Sequence, residues 1–569
     1  MDKLEGGFVI HKAPAILRGV NAHTIGLPGR PISEADLLAT NRMQATPWDV
    51  NREVAAVARE LLTDPDVACP LIPGDVLLPY PGKVEPDAWK ALGEAGQKRV
   101  RVERGKIHRE NASRQGRRQA FLEALGSATS MEAFPAHWYV HTHDFRLRRY
   151  VVAVGGLSPQ GDDLSKSLIR FRDGKPLGAE GLYWLCVRGA NCYGLDKLDL
   201  DERVGWAMDN ASLFRAISRD PLRWGGWTHR VDGSGKEVEE PWGFLATALE
   251  LGRAFEMADP TAFVSHLPVP CDGTANGLQH LSAMGLDPVG AMATNLCAGV
   301  PRQDPYIAVA TKAAEIVERE AAKGLPEAML WYGKVDRGTV KRAVLATPYG
   351  VTDGGIQRQL LEDDLVPDHD ADLSDKAAAA FMRDVIVESL SGTVVAAKAI
   401  MAWLQTCAQR LGEAGQPVVW QTPMGSTIAQ AYRARTVSRT DTLVGKVDTI
   451  EETPGGGLDV KKQALGVSPQ VVHSFDAAHL AATVNACAEG YGISAFSMIH
   501  DSFGTHAADT GIMQAVNREC FVRQYTPDRL VELAEGFKAY APHVDIPDPP
   551  ARGSFDLAAN VPAARFFFS

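Results

Sequence analysis

The stretch Ala495-Phe496-Ser497-Met498-Ile499-His500-Asp501-Ser502-Phe503-Gly504-Thr505 reads as a short apolar strand, a tight turn and a second strand. The turn holds His500, Asp501 and Ser502. A carboxylate at such a tip leaves the core on a rigid support, so an ion bound there would be well placed. Turns also favour Asp and Ser for their local hydrogen bonds. On its own, therefore, the stretch reads as an ordinary hairpin.

A second carboxylate changes that reading. Pro270-Cys271-Asp272-Gly273-Thr274-Ala275-Asn276-Gly277-Leu278-Gln279-His280 follows the apolar segment from Leu267 to Val269 and breaks into glycine-rich backbone. Two strand-end aspartates that met could hold two Mg²⁺ ions about 3.5–4 Å apart, the arrangement used for in-line phosphoryl and nucleotidyl transfer. Mg²⁺ suits carboxylates plus substrate phosphates without a full protein cage. Spacing along the chain leaves open whether the two meet.

Between them lies a basic helix, Arg337-Gly338-Thr339-Val340-Lys341-Arg342-Ala343-Val344-Leu345-Ala346-Thr347-Pro348-Tyr349-Gly350. Arg337, Lys341, Leu345 and Tyr349 step by four and form one stripe. At about 1.5 Å per residue, Lys341 and Tyr349 sit roughly 12 Å apart, the span of one nucleotide from outer phosphates to sugar. The stripe can place cations at the phosphates and an aromatic at the ribose. Pro348 disturbs the last turn. Either it fixes the angle of Tyr349 or it ends the helix early.

These three stretches resemble motifs A, C and B of the single-subunit RNA polymerases of phages and mitochondria, and the resemblance runs with gaps from about Thr46 to Ser569. It implies a mainly helical α/β (α+β) right-hand fold: a remnant N-terminal domain (1–74), a thumb (75–133), a first palm segment (134–288), fingers (289–479) and a second palm segment with the tail (480–569). The fingers would include a specificity hairpin at 422–466. It implies that Asp272 and Asp501, with Gly273 beside them, hold two Mg²⁺ ions. Lys341, Arg337 and Arg342 would face the triphosphate, with Lys341 also able to protonate the leaving group. Lys197 and Tyr306 match family positions near the nucleotide. Tyr349 and His479 would monitor the sugar, and His500 would shape the site. Gly277 stands where related DNA polymerases carry a glutamate that crowds the ribose 2′-OH.

Arg146 and Arg148 match arginines near the template and nascent RNA. The family has glycine between them and this chain has Leu147, which cannot take a positive φ cheaply. The turn geometry there is open. Arg433, Arg435 and Arg439 fall in a loop that enters promoter DNA in the phage enzymes. Alternating residues and Pro454-Gly455-Gly456-Gly457 suggest an extended hairpin in this region. A surface insertion explains it equally well. Only the last part of the family's N-terminal domain has a counterpart in residues 1–74.

Elsewhere, Val50, Val54, Val57, Ala58 and Leu61 predict a helix from Trp48 to about Leu62. A basic run from Lys98 to Arg118 predicts a long helix able to meet phosphates. His137, His141 and His143 lack a spaced acidic or Cys partner and read as structural. Gly233-Ser234-Gly235-Lys236 lacks the first P-loop glycine, and Glu237 replaces the Mg²⁺-binding hydroxyl; it reads as a polar loop. Asp476 reads as a helix N-cap. The chain ends Phe566-Phe567-Phe568-Ser569, like the family's aromatic tail.

At 569 residues the chain is long enough for several lobes. Its 45% hydrophobic and 23% charged content is that of a globular protein, and no apolar run is long enough for a membrane span. Eight scattered cysteines without Cys-x-x-Cys, and an acidic start without an apolar leader, predict a reducing cytoplasm, that of a host cell if phage-encoded. A net charge of −11 argues against a nucleic-acid-coating protein but not against a basic channel in an acidic exterior. The expected function is DNA-templated RNA synthesis by a monomer acting on ribonucleoside triphosphates, a DNA template and the RNA product. A separate factor would serve promoter recognition or melting. The alternatives are a primase-like or primer-extending polymerase without autonomous promoter recognition, and a catalytically silent nucleic-acid-binding relative.

Overall fold

The computed structural model describes residues 32–63, 69–74, 76–80, 82, 84–153, 155–223, 225–369, 373–392, 395–442, 445–453 and 455–569. The acidic start and Pro454 lie outside the described residues. The fold is mainly helical around several small antiparallel sheets.

The sheet that matters has three strands, in the order Ser497–Ile499, Ser502–His506, Pro268–Asp272. The first two form the expected hairpin, with Ile499 opposite Ser502 so that His500 and Asp501 make the turn. The third brings in the second carboxylate stretch, with Ser502 opposite Asp272 and Phe503 opposite Cys271. Alternation puts Val269, Cys271 and Phe503 into the core. The terminal Phe566, Phe567 and Phe568 are also buried. Phe568 stacks on Phe503 at 5.0 Å and bridges to Gly273, and the Ser569 N–H donates to the Asp272 carbonyl. The tail thus props the strand end that carries Asp272.

The helix expected from Trp48 is a strand followed by a helix. Trp48–Val50 pairs with Ile169–Phe171, and the helix runs Arg52–Thr63. Val54, Val57, Ala58 and Leu61 are its buried face. Val50 fits the helical period by chance and is buried as a strand residue instead.

The basic run forms the Gly93–Met131 helix of 39 residues. Lys98, Arg99, Arg101, Lys106, Arg109 and Arg117 are exposed, whereas the buried side chains Phe121, Ala124, Leu125 and Ala128 cluster at its C-terminal end. That end is packed into the core, and the preceding turns are tied to the segment before the helix by Arg104 donating to the Gly82 carbonyl, Asn111 to the Leu78 carbonyl and Arg118 to the Pro73 carbonyl. The extended hairpin exists as Arg435–Thr442 against Gly445–Glu452. The glycines at 455–457 do not turn it; they return the chain to the Val460–Tyr491 helix. That helix starts at Asp459, so Asp476 lies mid-helix and is not an N-cap. Gly233–Lys236 is an exposed loop. Among the described residues the cysteines are all unpaired, and no single helix is long and apolar enough to cross a membrane.

Candidate active site

The two strand ends that carry the carboxylates meet. Asp272 ends its strand directly across from Ser502, and the Gly273 N–H donates to the Asp501 carbonyl at 3.0 Å. Both side chains line one cleft of ≈ 700 Å³, together with Gly273, His500, Lys197, Tyr306 and Arg337. Seven of the residues singled out from the sequence therefore share one cavity.

The turn tip is strained. His500 adopts φ 53°, a region costly for a side-chain-bearing residue but one that Asn, Asp and His visit most. Its ring meets Tyr150 edge-on at 5.0 Å. Burial, helped by the Arg148 charge, pushes the His500 pKa down to about 4, so the imidazole is neutral at pH 7. Asp272 and Asp501 shift the other way. Burial raises both, and Asp501 is raised further by the Asp476 and Asp272 carboxylates. Asp272 is exposed to solvent within the cleft that it lines. A divalent cation would relieve the charge penalty on both hard-oxygen donors. The donor set fits Mg²⁺.

Cations line the same cleft. Arg337 donates to Asp304 at 2.8 Å, and its guanidinium lies 4.9 Å over the Tyr306 ring. Asp304 also caps the Pro305–Ala321 helix, so Arg337 is tied to a helix start. Lys197 pairs with Asp196 at the cleft edge, and Arg302 adds a further positive charge. Lys341 is exposed one helical turn beyond Arg337, outside the cleft lining.

Tyr349, His473 and Gly277 form a second group outside the cleft lining. Tyr349 packs its ring 4.6 Å from His473, and Arg148 lies beside its hydroxyl. Gly277 faces both: a Cβ there would lie 3.1 Å from Pro348 Cβ and Cγ and 3.3 Å from the Tyr349 hydroxyl. Arg148 donates to the buried Asp476 at 2.6 Å, and Asn276 donates to the same carboxylate at 2.7 Å.

The Asp144–Arg148 loop answers the question raised by Leu147. The loop joins the Val140–His143 and Arg149–Val152 strands, and the Asp144 carboxylate accepts from the backbone N–H groups of Arg146 and Arg148. Leu147 does adopt the left-handed region, at φ 68°, with its side chain buried. A left-handed non-glycine costs about 1–2 kcal/mol, and burial of the leucine offsets it. At this position Leu147→Gly should melt higher than Leu147→Ala, because glycine sheds the strain that alanine keeps. Elsewhere glycine loses to alanine by about 1 kcal/mol. Thermal melting of the two variants checks the order.

Comparison with known proteins identifies the family of the chain. Residues 175–545 match the family described as DNA-dependent RNA polymerase. The chain belongs to the DNA-dependent RNA polymerase family. It is 33% identical over 548 residues to the mitochondrial DNA-directed RNA polymerase 1 of Nicotiana sylvestris, covering 93% of this chain and 52% of that protein. It is 31% identical to the DNA-directed RNA polymerase of Enterobacteria phage T3, covering 91% and 63%. The chain thus spans about half to two-thirds of the length of these relatives.

In this member of the polymerase family the other expected positions stand apart from the cleft lining. His479 is a correction: it is fully buried, its Nε2 bonded to the Asn517 carbonyl at 3.0 Å and its ring among Phe503, Phe521 and Phe568. The histidine that reaches Tyr349 is His473, six residues earlier. Its spacing of three from Asp476, on the same helical face, was the available signal. Arg342 turns outward to Asp363 and Glu362. Arg439 is held in two bonds by Asp448, and Arg435 stands opposite Glu452 in the hairpin. Arg433 bridges to Leu458 at the hairpin base. Arg146 is bound by Asp144 and meets His473 Nδ1 at 2.9 Å. His141 and His143 are buried and kept neutral by burial and the Arg149 charge.

Proposed function

We propose that the chain synthesises RNA on a DNA template from ribonucleoside triphosphates. The observation that carries this is the meeting of Asp272 and Asp501 in one cleft beneath Arg337, Tyr306 and Lys197. Two Mg²⁺ ions held by Asp272 and Asp501 would activate the RNA 3′-OH and steady the leaving pyrophosphate. Arg337 and Lys197 bind the triphosphate and offset its charge, and Lys341, on the same helical stripe, reaches it as the nucleotide enters. Neutral His500 shapes the turn and does not serve as a base. Tyr349, with His473 against its ring and its hydroxyl beside Gly277, faces the sugar. In this reading the three-stranded sheet is the palm, the helices of 289–479 are the fingers, and the exposed Gly93–Met131 helix is the thumb, meeting phosphates without sequence preference.

The test is single-nucleotide addition to an RNA primer on a DNA template with Mg²⁺. Ribonucleotide should be added and deoxynucleotide disfavoured. Tyr349→Phe should narrow the ribo/deoxy ratio of kcat/KM about tenfold, the worth of one hydrogen bond of ~1.4 kcal/mol. An unchanged ratio would remove Tyr349 from the sugar site.

One observation favours a second reading, a primer-extending enzyme that does not recognise duplex promoters by itself. The hairpin arginine Arg439 is already satisfied by Asp448, and Arg435 faces Glu452. Such side chains reach base edges only by giving up those partners. Run-off synthesis on duplex against single-stranded template, protein alone, separates the two. A separate recognition or melting factor belongs to this second reading.

A further inference from the structure

The Arg337–Ala346 α-helix stops before the residue it is meant to present. Pro348 has no N–H to donate to the Val344 carbonyl, and its ring would collide with that carbonyl if the helix ran on. The chain continues as a 3₁₀ turn over Thr347–Tyr349, closed by Gly350 N–H to the Thr347 carbonyl at 3.0 Å, with Gly350 at φ 74°. An α-helix advances about 100° and 1.5 Å per residue; a 3₁₀ helix advances about 120° and 2.0 Å. Over three residues the difference is a swing of about 60° and a shift of ~1.5 Å. Tyr349 therefore points where an uninterrupted helix would not send it.

The turn is locked from three sides. The Pro348 ring abuts Gly277 so closely that a Cβ there would come within 3.1 Å of two of its carbons. Ser468, from the Val460–Tyr491 helix, donates its hydroxyl to the Pro348 carbonyl at 3.4 Å. His473, from the same helix, covers the Tyr349 ring. Pro348 is thus a buried wedge between Gly277 and the helix that backs the tyrosine.

We propose that Pro348 is a positioning residue for sugar selection: wedged against Gly277, it fixes the 3₁₀ turn that aims the Tyr349 hydroxyl at the ribose. This rests on the polymerase reading given above. Pro348 touches no reacting atom and acts through Tyr349. Replacing it with alanine restores a donor and removes the wedge, so the α-helix can extend by a turn and Tyr349 can rotate away from Gly277. Deoxynucleotide use then rises relative to ribonucleotide use.

The experiment is single-nucleotide addition to an RNA-primed DNA template with the full chain, one ribonucleotide and its deoxy counterpart. The ratio of the two kcat/KM values is read for wild type, Pro348→Ala, Tyr349→Phe and the double variant. Pro348→Ala should lower the ratio about fivefold, and it should lower it no further in the Tyr349→Phe background, because the hydroxyl it aims is gone. A loss of packing alone would slow both nucleotides alike and leave the ratio unmoved. A ratio within about twofold of wild type, or effects that multiply in the double variant, overturns the proposal. Where Pro348→Ala does not fold, Ser468→Ala carries the test. It should lower the ratio about twofold and again add nothing to Tyr349→Phe; an unchanged ratio overturns the proposal. Wild-type protein that adds neither nucleotide refutes the polymerase reading itself, and that result is seen before any variant is compared.

Discussion

Asp501→Asn and Asp272→Asn each lower nucleotide addition on a primer–template by at least about a thousandfold, while the metal-free protein melts no lower than wild type. The first half follows from chemistry. An amide keeps the shape of the carboxylate but loses its charge, and charge is what holds a hard cation and lets it stabilise the developing oxyanions. Removing a single preorganised group of this kind costs about 10²–10³ in rate, and losing a metal ligand removes the cation's contribution as well. The second half follows from linkage. Burial, with the Asp476 and Asp272 charges added, raises the Asp501 carboxyl in the folded chain, and burial raises Asp272. A carboxyl whose folded pKa lies above its unfolded value makes the ionised fold less stable at neutral pH. Replacing it with a neutral isostere relieves that penalty, so the expected change in Tm without metal is zero or about a degree upward. Mg²⁺ should raise the Tm of wild type and leave that of either variant unmoved. Melting with and without Mg²⁺ beside a primer-extension assay checks both halves. Near-normal extension by either variant would sink the metal assignment.

How far the site could be read from the sequence depends on which interactions are local. The Asp501 hairpin, the strand before Asp272 and the Arg337–Ala346 helix were legible because alternation, turn residues and four-residue steps are written into contiguous chain. Their meeting was not, since 229 residue numbers separate Asp272 from Asp501 and nothing in either stretch encodes the other. Pairing of Ser502 with Asp272 supplies it. Leu147 shows a different limit. The sequence exposed a conflict between leucine and a left-handed turn. Only the Asp144 carboxylate, gathering the loop's N–H groups, and a buried site for the side chain show how the turn survives. His479 and His473 lie on one helix, and their roles divide by facing. His479 points into Phe503 and Phe521, and His473 points at Tyr349. The Trp48 segment failed because a buried three-residue strand and the first turn of a helix look alike in apolar pattern.

Asp476→Asn should destabilise the protein by about 3 kcal/mol, far more than its mid-helix position suggests, because it strands a buried cation. Arg148 donates to Asp476 at 2.6 Å with 14% of its side chain exposed, and Asp476 is 1% exposed. His280 Nε2 stands 3.8 Å from the same carboxylate, too far for a good hydrogen bond, so Arg148 and Asn276 are the close partners. Burial alone would raise the Asp476 carboxyl, but His280 and Arg148 outweigh it and hold the group well below the ordinary carboxylate range. A carboxyl lowered in the folded state contributes stability that is complete above its unfolded pKa of about 4 and is lost as pH falls below it. Wild type should therefore lose Tm steeply below about pH 4, and Asp476→Asn should start lower and lose less there. Replacing both partners, Asp476→Leu with Arg148→Met, should recover part of the lost Tm, since neither charge is then buried alone. Activity should not return with it. Arg148 also lies beside the Tyr349 hydroxyl and acts on Asp501 through its charge, so the apolar pair restores the packing but leaves Tyr349 and Asp501 without that cation. Recovery of nucleotide addition along with Tm would reduce the Asp476–Arg148 pair to a structural tie.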